Sequence, residues 1–343
     1  MGAGLLGEAR ERIHRACPAA RYAVIADQTV ADLYGARLTV GLDATLHTFP
    51  AGEAAKSRAT WSSLTDQLLA AGLGRDGALV ALGGGVAGDL AGFVAATYLR
   101  GVPYVQVPTT VLAMVDSSVG GKTGVDAPAG KNLVGAFHQP RLVLADVLTI
   151  GTLPARERRA GLVEALKHGA IADAAYFEWL VAMRDALLAA EPESLIEAVA
   201  RSVTIKADVV GADERERGRR AVLNAGHTLG HALEHATDFR LAHGDAVGIG
   251  LVCEARIGER LGVTATGTSA ALVDALAAFG LPTTAPKVAA DRVRDALAVD
   301  KKNRAGTVRI ALLERIGTSY QTEPENWTTP VDADLIVDAL LRP

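Results

Sequence analysis

The stretch LNAGHTLGHALEH, residues 223–235, sets His227, His231 and His235 four apart. On a helix this spacing brings imidazoles toward one side, although eight residues drift about 80° and carry His235 away from His227. A histidine pair at i and i+4 can hold zinc. The peptidase form of that pattern, H-E-x-x-H, is excluded because Thr228 follows His227. Two other segments offer ligands: His243 in LAHGDAVGIG, and Glu164 in LVEALKHGAI, one helical turn before Lys167. His168 adjoins Lys167 but points about 100° away. Spacing alone suggests a metal site and does not choose its ligands.

A second cluster is LGGGVAGDLAG, which contains G-x-G-x-x-G at Gly83, Gly85 and Gly88. It follows an apolar run and opens a helical one, the context in which glycines let backbone approach a pyrophosphate at a helix N-terminus. The usual acid about 20 residues further on is missing, since that region reads VPYVQVPTT. Asp27, at the end of an earlier apolar run, is the alternative partner for a ribose. A structural glycine turn is the competing reading. The third cluster spans 107–140, where Thr109, Thr110, Asp116, Ser117, Ser118, Gly120, Gly121, Lys122, Lys131 and Asn132 crowd together. Glycines beside lysines suit an anion; a solvated loop is the plainer alternative.

These residues need elements to hold them. RYAVIAD, GALVALGGG, YVQVPTT and RLVLADV read as buried strands, alternating with helical stretches such as 58–73 and 89–99. That alternation predicts a parallel sheet covered by helices. From about residue 150 helical periodicity prevails, through AYFEWLVAMRDALLAA and SLIEAVARSVTIKADVVGADERER, and the tail 287–317 returns a short strand, TVRIALL. The expected fold is an α/β, Rossmann-like N-terminal domain over 1–150, then a helical metal- and substrate-binding domain over 151–343, with a cleft between them. The chain has 343 residues, 49% hydrophobic and 22% charged, with formal net charge −4. This reads as an ordinary soluble protein without the basic face of a nucleic-acid binder. Two lone cysteines, Cys17 and Cys253, suit a reducing compartment. The first sixteen residues mix charges and lack a signal peptide's apolar run, and no uncharged stretch has the character of a membrane span. The expectation is a cytoplasmic protein.

Taken together, GGGVAGD, VPTTVLAMVDSSVGGKTGVD, GKNLVGAFHQP, LVEALKHG, DERERGRRAVLNAGHTLGHALE and HGDAV resemble the 3-dehydroquinate synthase family of sugar-phosphate cyclases, in order and spacing over nearly the whole chain. The resemblance implies an NAD-binding α/β domain followed by a helical metal domain. It implies zinc, with cobalt as a substitute, on Glu164, His227 and His243. NAD would contact Asp27, Glu53, Lys56, Gly84, Gly85, Asp89, Thr109, Thr110, Lys122, Lys131 and Thr152. The implied substrate, 3-deoxy-D-arabino-heptulosonate 7-phosphate, would present its phosphate to Lys122, Asn132, Asn224 and Arg309, and its carboxylate to Lys206 and Arg220. Arg100 would reach a neighbouring subunit's site, which implies a homodimer.

The chemistry so implied is a cycle without net redox. Zinc polarises a hydroxyl, NAD takes a hydride and later returns it, phosphate is eliminated between these steps, and an aldol closure gives 3-dehydroquinate. Asp116, Lys167, Lys206 and His231 are the candidates for positioning and proton transfer, with His235 a bystander. Alternatives are a cyclase for an aminated analogue or for sedoheptulose 7-phosphate, or a metal-dependent polyol dehydrogenase sharing the fold.

Overall fold

The computed structural model describes residues 1–128, 130–299, 307–324 and 326–341. Its chain divides into two compact units, one of residues 1–154 with 195–200, the other of 155–194 with 201–343.

In the first unit, the strands β1 (Tyr22–Asp27), β2 (Thr45–Phe49), β3 (Ala78–Gly83), β4 (Tyr104–Pro108) and, after a hairpin, β7 (Leu142–Val143) form a five-stranded parallel sheet. The spatial order is β2-β1-β3-β4-β7. All six residues of β3 and all five of β4 are buried, as expected of strands covered on both faces. One face packs Leu64 and Leu68 of the helix α1 (Arg58–Ala70) and Leu90 and Val94 of α2 (Gly85–Thr97); the other packs Ile13, Leu38 and Leu42. The strands end together, so Asp27, Gly83 and Pro108 lie in register at one edge. The remaining two strands, β5 (Lys122–Ala127) and β6 (Gly130–Phe137), make a separate antiparallel hairpin. Apolar patterning did not announce this hairpin. β6 is largely exposed, and Gly124 and Gly135 face one another where any side chain would meet backbone within 2.8 and 2.1 Å.

The second unit is built from long helices: α3 (Ala155–Ala172), α4 (Ala174–Ala182), α5 (Pro192–Ala212, of which 195–200 fall in the first unit), α6 (His227–Ala236) and α7 (His243–Arg260). The run AYFEWLVAMRDALLAA reads as one helix but breaks at Met183, where a second short helix starts. The strand within TVRIALL is present as Thr307–Ile310, paired with Thr329–Asp332; residues 300–306 of the same tail lie outside those described. Among the described residues no helix is long and apolar enough to cross a membrane.

Three of these helices meet backbone to backbone. A Cβ on Gly244 would stand 2.2 Å from the carbonyl oxygen of Ala160, and one on Gly250 would stand 2.0 Å from that of Gly226. Gly226 itself takes φ +77°, a left-handed conformation that glycine adopts without strain, and starts α6 there. Its N–H donates to Oε2 of Glu254 at 2.6 Å, a carboxyl 2% exposed on α7. Burial pushes the Glu254 carboxyl well above the ordinary range, outweighing the N–H groups of Gly226 and Leu229 that favour its anion. An acid whose folded pKa is raised keeps its proton while the unfolded chain loses it. Its stability contribution is therefore complete below the unfolded pKa of about 4.3 and declines as pH rises. Glu254→Gln should remove that decline, worth at most about 1.4 kcal/mol per pH unit. Thermal midpoints at pH 5 and 8 test this: the parent should lose more stability than the variant, and equal losses would contradict it.

Candidate active site

Glu164 sits in the middle of α3 with no exposed surface, and Lys167, one turn on and 1% exposed, meets its Oε2. Its other oxygen, Oε1, is faced by two imidazoles. Nε2 of His227, the first residue of α6, lies 3.6 Å away, and Nε2 of His243, the first residue of α7, lies 3.7 Å away. The close glycine contacts Gly244–Ala160 and Gly250–Gly226 are what bring the starts of α6 and α7 against α3.

The separations are too long for hydrogen bonds. They match donors sharing an ion: tetrahedral zinc at about 2.1 Å from each ligand separates the ligands by roughly 3.4 Å. All three ligand atoms lie within 4.8 Å of one another. The imidazoles are suited to the task. Burial lowers the His227 pKa well below its ordinary value, reinforced by the charge of Lys167 and by His243 and His231, so the ring is neutral. Its Nδ1 lies 3.2 Å from the carbonyl of Ala225. A carbonyl only accepts, so the proton is on Nδ1 and the Nε2 lone pair points to Glu164. Two imidazoles, that of His227 neutral, and one buried carboxylate form a donor set that fits zinc with an open fourth position.

The described residues of this unit hold a second group of ligand-type side chains, His231, Glu234 and His243. It uses the opposite nitrogen of His243, whose Nδ1 is 3.5 Å from Oε2 of Glu234, with Nε2 of His231 4.0 Å from the same oxygen. His231 is 54% exposed on its side chain, and its ring packs edge-on against His227 at 5.5 Å between centroids. His235 is exposed and packs on Phe239 instead.

The anion candidates of this unit are partly engaged with their own surroundings. Arg220, 2% exposed, donates to the carbonyl of Glu214 at 2.5 Å, while Asp213 gathers the N–H groups of Arg217, Gly218 and Arg220. Lys206 is 7% exposed on α5. Asn224 donates to Glu216 at 2.6 Å. Arg309 gives donors to Thr328 and Asn326.

In the first unit the glycine turn lies at the ends of β1, β3 and β4. A Cβ on Gly83 would sit 3.3 Å from Oδ2 of Asp27, one on Gly84 would sit 3.0 Å from Thr110, and one on Gly85 would sit 3.2 Å from Oγ of Ser117. Thr109 donates its N–H to the carbonyl of Gly83 at 2.9 Å. The structure thus gathers Asp27, Gly84, Gly85, Thr109 and Thr110 around the start of α2. Asp27 also caps the residues after β1, accepting from the N–H of Val30. Asp89, one turn into α2, pairs with buried Lys56. Desolvation opposes the ammonium's charge, but Asp89 above all, with Glu53 and Asp126, raises its pKa. Thr152 bonds to the hydroxyl of Tyr34 at 2.7 Å. Lys122 is exposed at the start of β5. Lys131 is half-buried at the start of β6, and Asn132, at φ +53°, donates its N–H to Asp126. Asp116 is half-buried in a wide helical turn, Ala113–Ser117, and Arg100 is exposed. Sequence reasoning passed over Glu234 and Asp126. Each is an acid at the end of a motif segment, Glu234 between Leu233 and His235, and nothing in the local sequence marks its burial.

Residues 46–160 match the family model described as 3-dehydroquinate synthase N-terminal, and residues 161–303 match the one described as 3-dehydroquinate synthase C-terminal. A parallel nucleotide-type sheet and a helical unit with a candidate metal centre fit that class of enzyme. The chain belongs to the 3-dehydroquinate synthase family. It is 50% identical over 304 residues to the 3-dehydroquinate synthase of Halorhodospira halophila, covering 88% of this chain and 86% of that one. Its fold is similar to a 2-deoxy-scyllo-inosose synthase complexed with carbaglucose-6-phosphate, NAD+ and Co2+, at TM-score 0.92 and 28% identity over 99% of this chain and 95% of that one. It is also similar to a 2-epi-5-epi-valiolone synthase from Streptomyces hygroscopicus with NAD+ and Zn2+ bound, at TM-score 0.88 and 30% identity over 99% and 94%.

The Glu164 cluster makes a direct prediction. Glu164→Ala and His243→Ala should each weaken zinc binding by more than the roughly 10–100-fold that loss of an outer partner costs. Equilibrium dialysis with metal analysis measures this; full zinc occupancy in either variant would contradict the ligand set.

Proposed function

We propose that the chain converts 3-deoxy-D-arabino-heptulosonate 7-phosphate to 3-dehydroquinate and phosphate, with NAD and a divalent metal, zinc or cobalt, as cofactors. The observation that carries this reading is the meeting of Glu164, His227 and His243 at one buried point, in a chain half identical to a dehydroquinate synthase. When bound, the metal polarises a substrate hydroxyl and NAD takes up and returns a hydride, so the overall reaction is redox-neutral.

The chain's own residues supply the rest. Gly84 and Gly85 let a pyrophosphate approach the start of α2, with Asp27, Glu53, Lys56, Asp89, Thr109, Thr110, Lys122, Lys131 and Thr152 as further nucleotide contacts. Lys122, Asn132, Asn224 and Arg309 are assigned to the substrate phosphate, and Lys206 and Arg220 to its carboxylate, which a guanidinium can grip in two-pronged fashion. Holding the phosphate against the ring lets it depart by elimination once the neighbouring carbon is acidified. Asp116, Lys167, Lys206 and His231 orient the hydroxyls and move protons. The homodimer, with Arg100 reaching into the neighbouring subunit's site, and a cytoplasmic location complete the reading.

The alternatives are other cyclases and a plain polyol dehydrogenase. Identity favours the synthase, at 50% against 28% and 30% for the two other cyclases. A dehydrogenase would have little use for this set of anion-binding residues. Purified protein with catalytic NAD and zinc should release phosphate from the heptulosonate without accumulating NADH. Turnover only of sedoheptulose 7-phosphate, glucose 6-phosphate or an aminated heptulosonate, or stoichiometric NADH formation, would overturn the proposal.

A further inference from the structure

We infer that Glu234 is a positioning residue of the metal site, accepting a hydrogen bond from Nδ1 of His243 and so aiming its Nε2 at the ion held with Glu164 and His227. This inference rests on the metal reading proposed above and extends it to a residue outside the ligand set.

The helix places Glu234 where it can act. It follows His227 by seven residues on α6, and seven residues turn about 700°, which returns to nearly the same face. One face of α6 therefore offers the first residue of α7 both a fellow ligand, His227, and a carboxylate, Glu234. The Glu234 side chain is 4% exposed, and a buried carboxylate needs donors. Nδ1 of His243, at 3.5 Å, is the nearer imidazole nitrogen; Nε2 of His231 is 4.0 Å away.

The two imidazoles that face Glu164 are thus built alike. Each turns Nε2 inward, and each has an oxygen acceptor beyond Nδ1: the Ala225 carbonyl for His227, the Glu234 carboxylate for His243. An acceptor on the far nitrogen fixes the tautomer and the ring plane, and a carboxylate there also makes the ligand nitrogen more basic. His243 needs this more than His227, because its side chain is 32% exposed against 15% and has less packing to hold it. The competing assignment makes Glu234 a ligand itself, with His231 and Nδ1 of His243. That arrangement would turn the inward Nε2 of His243 away from any ion, leave the fully buried Oε1 of Glu164 facing two imidazoles without one, and depend on the half-exposed His231.

The test compares the parent with Glu234→Ala, Glu234→Gln and His231→Ala by competition for zinc against a chromophoric chelator, with circular dichroism reporting the helical fold. Glu234→Ala should bind zinc about 10–100-fold more weakly, and Glu234→Gln, which keeps an acceptor oxygen without the charge, should fall between it and the parent. His231→Ala should keep the parent affinity. Parent affinity in Glu234→Ala would overturn the inference while leaving the metal reading standing. An equal loss in His231→Ala would make Glu234 a ligand and overturn it as well. A parent that binds no zinc would overturn both readings. Should Glu234→Ala not fold, nitrogen-15 spectra of the zinc-loaded parent, in which one ring nitrogen of His243 holds the ion and the other its proton, decide the matter. His243 protonated on Nδ1 supports the inference, and protonation on Nε2 overturns it.

Discussion

A carboxylate with no exposed surface is the constraint on which the helical unit turns. Glu164 stands in mid-helix on α3, away from water, and its charge has to be met by what packs against it. Lys167 meets one oxygen from the same helix. The other oxygen looks out at the first residues of α6 and α7, and both are histidines. The sequence must bring two helix starts to one point, and it does so with glycines that allow backbone contact: Gly244 against Ala160, Gly250 against Gly226. Side chains at those positions would hold the helices apart and spread the donors beyond the reach of one ion. The packing of the unit and the chemistry of the site are in this sense a single arrangement.

The α/β unit solves a different problem, that of holding a large anionic cofactor without burying an uncompensated charge. Parallel strands that end in register leave Asp27, the glycine turn and the Thr109–Thr110 pair at one edge. There a helix N-terminus and bare backbone offer donors, which is why the proposed function puts the cofactor's pyrophosphate at this edge. Lys56 and Asp89 neutralise one another beside it, so a buried charged residue close to the turn comes with its own partner.

Much of this was legible in the residues. Strands β1, β3 and β4 announce themselves as continuous apolar runs because both of their faces are covered. β2 did not, since TLHTF is half exposed and mostly polar. The β5–β6 hairpin was hidden because close pairing at Gly124 and Gly135 demands glycines, which carry no strand signal, and because β6 faces solvent. The histidine motif suggests a metal site but does not choose its ligands. Its regular spacing suggests three equivalent rings, whereas the structure turns only His227 of the three to Glu164, sets His231 half exposed and packs His235 on Phe239. The partners Glu164 and His243 come from distant segments; the residues offered both as candidates, and only family resemblance selected them as the set with His227. Glu234 went unnoticed because an acid at i+7 from a histidine looks like any solvated helix residue until its burial is known.

The central claim is that one metal ion is held by two imidazoles and one carboxylate, contributed by His227, His243 and Glu164. X-ray absorption at the zinc edge of the loaded protein tests it most directly. The account predicts a light-atom shell at about 2.0–2.2 Å, with multiple scattering from two imidazole rings. Three imidazoles, which would bring in His231, or a shell without imidazole scattering, would contradict it.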